Sequence, residues 1–121
     1  LEMRVKIAQL YNEKLNFFPN IEIPNMLFSN NYNFAYYPIL FKDGSTRDYI
    51  YNEMHKKGIF VRKYYYPLLD NIIDLSSAKN KPELTLANDI SSRVICLPLY
   101  PDLSLVDQMR VINQLESLVS E

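Results

Sequence analysis

The sequence predicts an α+β domain: a small three-stranded sheet covered by helices, in the order α-β-α-β-α-β-α. Three observations carry this. Short β-rich apolar runs alternate with longer segments in which apolar residues recur every three or four positions. Capping-box spacing stands ahead of two of those longer segments. The chain has 121 residues, 48% hydrophobic and 22% charged, which is the length and balance of one domain with its own core.

The first helix is predicted over Glu2–Leu15, where Met3, Ile7, Leu10, Tyr11 and Leu15 line one face. Residues 16–33 contain Pro19, Pro24 and several Asn, and read as a loop with a short extended piece at Ile21–Ile23. Phe34–Phe41 reads as a strand. Pro38 inside it lacks a ladder donor, so an edge strand or a bulge is expected. Asp43-Gly44 is a turn, and Ser45 with Asp48 three residues on suggests an N-cap. The helix that follows runs to about Lys57, buries Ile50 and Met54, and ends at Gly58 as the left-handed residue. Ile59–Tyr65 is the second strand. Residues 68–81 are irregular, and Pro82 opens a helix through about Ser92, with Leu86 and Ile90 on one face. Val94–Leu97, apolar on both faces, is the third strand, and residues 99–102 (LYPD) form a turn. Ser104 with Asp107 repeats the capping spacing before a last helix that should bury Leu105, Met109, Ile112, Leu115 and Val119.

Composition removes several function classes. The net charge of -1 gives no broad footprint for nucleic acid or an anionic membrane. One Cys leaves no internal disulfide framework, one His leaves no ordinary Cys/His zinc site, and 2 Gly leave no Gly-rich phosphate loop. No apolar run approaches a membrane span and the start does not read as a signal peptide, so a cytoplasmic setting is expected. His55 reads as a solvated surface histidine, Cys96 as a buried inert thiol, and Asp70 and Asp74 as loop acids. Catalytic and metal-ligating residues are therefore expected to be none. Lys42, Lys56, Lys57, Lys63, Lys79 and Lys81 all read as surface lysines.

The most distinctive local feature is Arg62-Lys63-Tyr64-Tyr65-Tyr66-Pro67. One reading is a sheet end with a packed aromatic face. The other is a platform where cations meet phosphate and rings meet a base or sugar. Residues 57–61 (KGIFV) also touch on an RNA-binding strand motif, but the aromatic spacing is wrong.

In this order and at these intervals, residues 4–15 (RVKIAQLYNEKL), 57–67 (KGIFVRKYYYP), 87–101 (ANDISSRVICLPLYP) and 104–115 (SLVDQMRVINQL) resemble the C-terminal small domain of the DegT/DnrJ/EryC1/StrS aminotransferases. The resemblance covers essentially the whole chain. It implies the C-terminal domain of a fold type I enzyme dependent on pyridoxal phosphate, which transfers an amino group, expected from glutamate, to a nucleotide-linked keto-deoxysugar. It further implies that residues 1–121 are one small domain, inactive alone, with the cofactor-binding domain absent from this chain. Pyridoxal phosphate would be held by the parent enzyme and not by this chain. Expected partners are the nucleotide sugar, the missing N-terminal large domain and a second subunit in a homodimer, with no nucleic acid and no membrane. The resemblance places Arg62, Lys63, Tyr64, Tyr65 and Tyr66 at the border of the sugar-nucleotide site. Many members carry a His-Tyr-x-Pro-x-His phrase there. Tyr64-Tyr65-Tyr66-Pro67-Leu68-Leu69 lacks both histidines and is similar to a branch acting on deoxythymidine-diphosphate (dTDP) sugars. Arg93 matches a recurring arginine, for which an ion-pair or capping role is expected. The competing class is a stand-alone small-ligand or RNA-binding module using the Tyr-rich sheet.

Overall fold

A computed structural model describes residues 2–23, 37–63 and 83–120. The elements in chain order are α1 (Glu2–Leu15), β1 (Ile21–Glu22), β2 (Tyr37–Phe41), α2 (Gly44–Lys56), α3 (Glu83–Arg93), β3 (Val94–Leu97) and α4 (Leu105–Val119). The α+β class stands, and among the described residues the elements run α-β-β-α-α-β-α. The three strands form one antiparallel sheet in the order β1-β2-β3.

Two expectations about the sheet are corrected together. Residues 59–63 do not form a strand: Arg62 makes one isolated antiparallel bridge to Cys96. The reason is local. Gly58 is left-handed (φ 78°), and the Val61 amide bonds to the Ile59 carbonyl at 3.2 Å. That three-residue turn at Phe60 keeps the chain out of a pleated ladder until Arg62. Ile21–Glu22 supplies the third strand instead.

The proline-bearing strand β2 lies in the centre of the sheet and not at its edge. Cys96 directs both its amide and its carbonyl to Arg62, at 2.7 and 3.1 Å, away from β2. Its partner Pro38 is therefore in a position that exchanges no bonds with β3. The nitrogen of Pro38 faces away from β3, so the missing donor costs no bond to that strand. All five residues of β2 and all four of β3 are buried.

The core gathers on both sides of these strands: Ile7, Tyr11 and Leu15 from α1, Ile50 and Met54 from α2, Ile90 from α3, and Val111, Ile112 and Leu115 from α4. Helix α1 matches its expected bounds, although Met3 is half exposed. Tyr11 and Tyr37 stack at 4.7 Å between ring centroids, and each hydroxyl finds an acceptor: the Pro98 carbonyl at 2.7 Å and Asn12 Oδ1 at 2.6 Å. Burial raises both phenol pKa values above the ordinary range.

Helix α4 is capped as expected, with the Asp107 amide donating to Ser104 Oγ at 3.1 Å. Its inward stripe differs: Gln108, Val111, Ile112, Leu115, Leu118 and Val119 are buried, while Leu105 is 65% exposed and Met109 is only half-buried. Gln108 occupies the inward position one turn after Ser104 and donates to the Ile7 carbonyl of α1 at 2.7 Å. Helix α2 is capped by Asp43 and not Ser45. Asp43 holds an extended backbone, and its Oδ1 accepts from the Thr46 amide at 2.8 Å.

The join between α3 and β3 has no loop, and two arginines tie it. Arg47 of α2, itself buried, donates from Nη1 to the carbonyls of Ser91 (2.8 Å) and Val94 (3.1 Å). Arg93 donates to the Phe41 carbonyl at 2.9 Å and pairs with Asp89 at 3.1 Å, the structural role expected of it. Gly44 eases the approach there, because a Cβ would lie a tight 3.2 Å from the Ser92 carbonyl oxygen.

Candidate functional site

Helix α2 and the segment after it build the ground on which Arg62 and Lys63 stand. The helix ends with the Lys57 and Ile59 amides on the Met54 carbonyl and the Gly58 amide on the His55 carbonyl, each at 3.0 Å. Arg110 of α4 donates to the Lys57 carbonyl, which fixes this corner from the other side. Ile59 and Val61 then turn inward and are buried, while Phe60 (71% exposed) and Arg62 face outward.

Arg62 is held at its backbone by the Cys96 bridge, which leaves its side chain at the surface. The Lys63 ammonium lies 3.4 Å from Asp48 Oδ1 and 4.6 Å from the centroid of the Tyr51 ring. Asp48 also accepts from Arg47 Nε at 2.7 Å. The Arg47 hydrogen bond, helped by Lys63, holds the Asp48 carboxyl below its ordinary value. Tyr64, Tyr65 and Tyr66 lie outside the described residues, as do Asp70, Asp74, Lys79 and Lys81.

His55 is not the solvated side chain that the sequence suggests. It is half-buried, with Nε2 3.0 Å from the Val61 carbonyl, its ring 4.1 Å from that of Tyr51 and edge-on to Phe60 at 5.2 Å. The sequence suggests Asp48 only as a capping partner and His55 only as a surface residue, and it does not single out Tyr51; none of the three is expected at this site. Their spacing of three and then four along one helix was the available signal, since it puts them on one face.

Cys96 is buried as expected, and burial pushes its thiol up to about 12, so no thiolate nucleophile is available. Among the described residues no group of three or more His, Cys, Asp or Glu could hold a metal. Nor is any helix among them long and apolar enough to cross a membrane. What the arrangement offers is recognition: two cations and exposed aromatic surface on a backbone fixed at Cys96.

Residues 1–116 match the sequence pattern of the DegT/DnrJ/EryC1/StrS aminotransferase family. The chain belongs to that family. It is 36% identical over 111 residues to a dTDP-4-amino-4,6-dideoxy-D-glucose transaminase of Escherichia coli, a match covering 86% of this chain and 29% of the relative. The chain thus spans under a third of the length of the curated relatives that it matches. Among solved structures, the aminotransferase TlmJ from Streptoalloteichus hindustanus superposes with a TM-score of 0.79 at 24% identity, over 99% of this chain and 32% of that one. The ntda structure from Bacillus subtilis, with bound cofactor PMP, gives 0.77 at 25% identity, over 98% of this chain and 28% of that one.

The described residues do not fit pyridoxal phosphate. Its aldehyde needs a lysine in a sheltered, cofactor-ready place. Every described lysine but Lys63 is exposed, and Lys63 is paired with Asp48.

Proposed function

We propose that this chain is the C-terminal small domain of a pyridoxal-phosphate-dependent transaminase that transfers an amino group from glutamate to a dTDP-linked keto-deoxysugar. The observation that carries the reading is the 36% identity with the E. coli transaminase, whose name specifies a dTDP sugar. In this reading the cofactor lysine belongs to a large N-terminal domain. The 121-residue chain alone is inactive, and the complete enzyme is a cytoplasmic homodimer. Arg62, Lys63, Tyr64, Tyr65 and Tyr66 border the nucleotide sugar. The cations at Arg62 and Lys63 suit a diphosphate, and tyrosine rings suit a base or sugar.

Steady-state kinetics of the complete enzyme test this, with nucleotide sugar and glutamate varied separately. Arg62→Ala and Tyr64→Ala should each raise KM for the nucleotide sugar and leave KM for glutamate unchanged. Equal effects on both substrates would reject the border assignment. Borohydride trapping of pyridoxal phosphate on the 121-residue chain should give no stable adduct. A stoichiometric adduct would place the lysine here instead.

A further inference from the structure

We propose that His55 is a positioning residue for this border, acting through the Val61 carbonyl. The inference rests on the assignment of Arg62 and Lys63 to that border, given above. A carbonyl oxygen can only accept, so the 3.0 Å contact requires the proton on His55 Nε2. The same residue's own carbonyl accepts from the Gly58 amide at 3.0 Å. His55 therefore brackets both ends of the turn at 58–61, one end with its backbone and the other with its ring.

The ring cannot swing away without losing both aromatic neighbours. Tyr51 covers it at 4.1 Å with a 33° tilt, and Phe60 meets it at 83° from 5.2 Å. The Val61 carbonyl belongs to the peptide that leads into Arg62. That peptide is fixed on one side by His55 and on the other by the Arg62 amide on the Cys96 carbonyl at 3.1 Å. The course of the backbone at Arg62 and Lys63 is thus set in part by α2. A role in packing alone would need only ring volume. A positioning role needs a donor at Nε2.

Two substitutions in the complete enzyme separate these roles. His55→Leu keeps apolar bulk and removes the donor, while His55→Gln keeps an N–H donor at similar reach. His55→Leu should raise KM for the nucleotide sugar about three- to tenfold, the range that one hydrogen bond supports. KM for glutamate should be unchanged, and His55→Gln should recover most of the loss. Equal shifts in both KM values, or no difference between Leu and Gln, would overturn the proposal. Arg62→Ala run in parallel keeps the two readings apart. A raised sugar KM there with none in His55→Leu sinks the His55 role alone, and an unchanged sugar KM there sinks the border assignment. Should the variants fail to fold, nitrogen NMR of the unsubstituted 121-residue chain, with its 1 His, reads the tautomer directly. The Nε2–H form is expected, and the Nδ1–H form would overturn the proposal.

Discussion

The junction of α2, α3 and β3 and the segment 59–63 lie side by side on the same helix, yet they are built differently. At the junction, buried strands meet a buried arginine whose guanidinium satisfies two carbonyls, and a glycine lets the backbones approach. Along 59–63, a three-residue turn and one bridge to β3 hold the chain, with Ile59 and Val61 inward and Phe60 and Arg62 in solvent. The difference separates scaffold from rim. Groups at the junction have no water to replace a lost partner, so changes there cost stability. Groups on the rim do, so changes there cost little stability and alter what the surface presents.

Substitutions sharpen this contrast in descending order. Ile95→Ala, in the middle of β3 and opposite Ile39, should show the largest effect, a loss of about 2–5 kcal/mol in urea unfolding. A loss near zero would show that the strand is not the scaffold described. Arg47→Ala should follow at about 1–3 kcal/mol, because it leaves the Ser91 and Val94 carbonyls without their donor. Arg47→Lys should recover only part, since an ammonium lacks the guanidinium fork that also engages Asp48.

The smallest effect belongs to Asp48→Asn on the rim, and it depends on pH. The folded carboxyl titrates below its ordinary value of 3.8, so its contribution is fully present above that value. It is lost as pH falls through the lower folded value. The stability gap between wild type and Asp48→Asn should therefore be open at neutral pH and close on acidification. A gap independent of pH would assign the effect to packing and not to charge.

Much of the scaffold was legible from local pattern. Ile7, Tyr11 and Leu15 at helical spacing located α1, four consecutive apolar residues located β3, and Ser104 with Asp107 marked the start of α4. The cap of α2 was misread by two residues, because Asp43 and Ser45 are both good capping types and only backbone geometry chooses between them. Of the candidate site, Arg62 and Lys63 were legible as a basic pair before aromatics. Their partners Asp48, Tyr51 and Cys96 were not, since each lies far along the chain and no local rule pairs them.

The sequence alone determined where the four described helices lie, that a strand ends at Phe41 and that β3 spans Val94–Leu97. These follow from periodicity and residue chemistry over a few neighbours. Tertiary structure decided which strand sits in the centre, that Ile21–Glu22 pairs with β2 while residues 59–63 give only one bridge to β3, and that His55 turns inward. Each of these depends on where a backbone amide or carbonyl finds its partner across the fold, and that partner is chosen by packing and not by the residue's own preference.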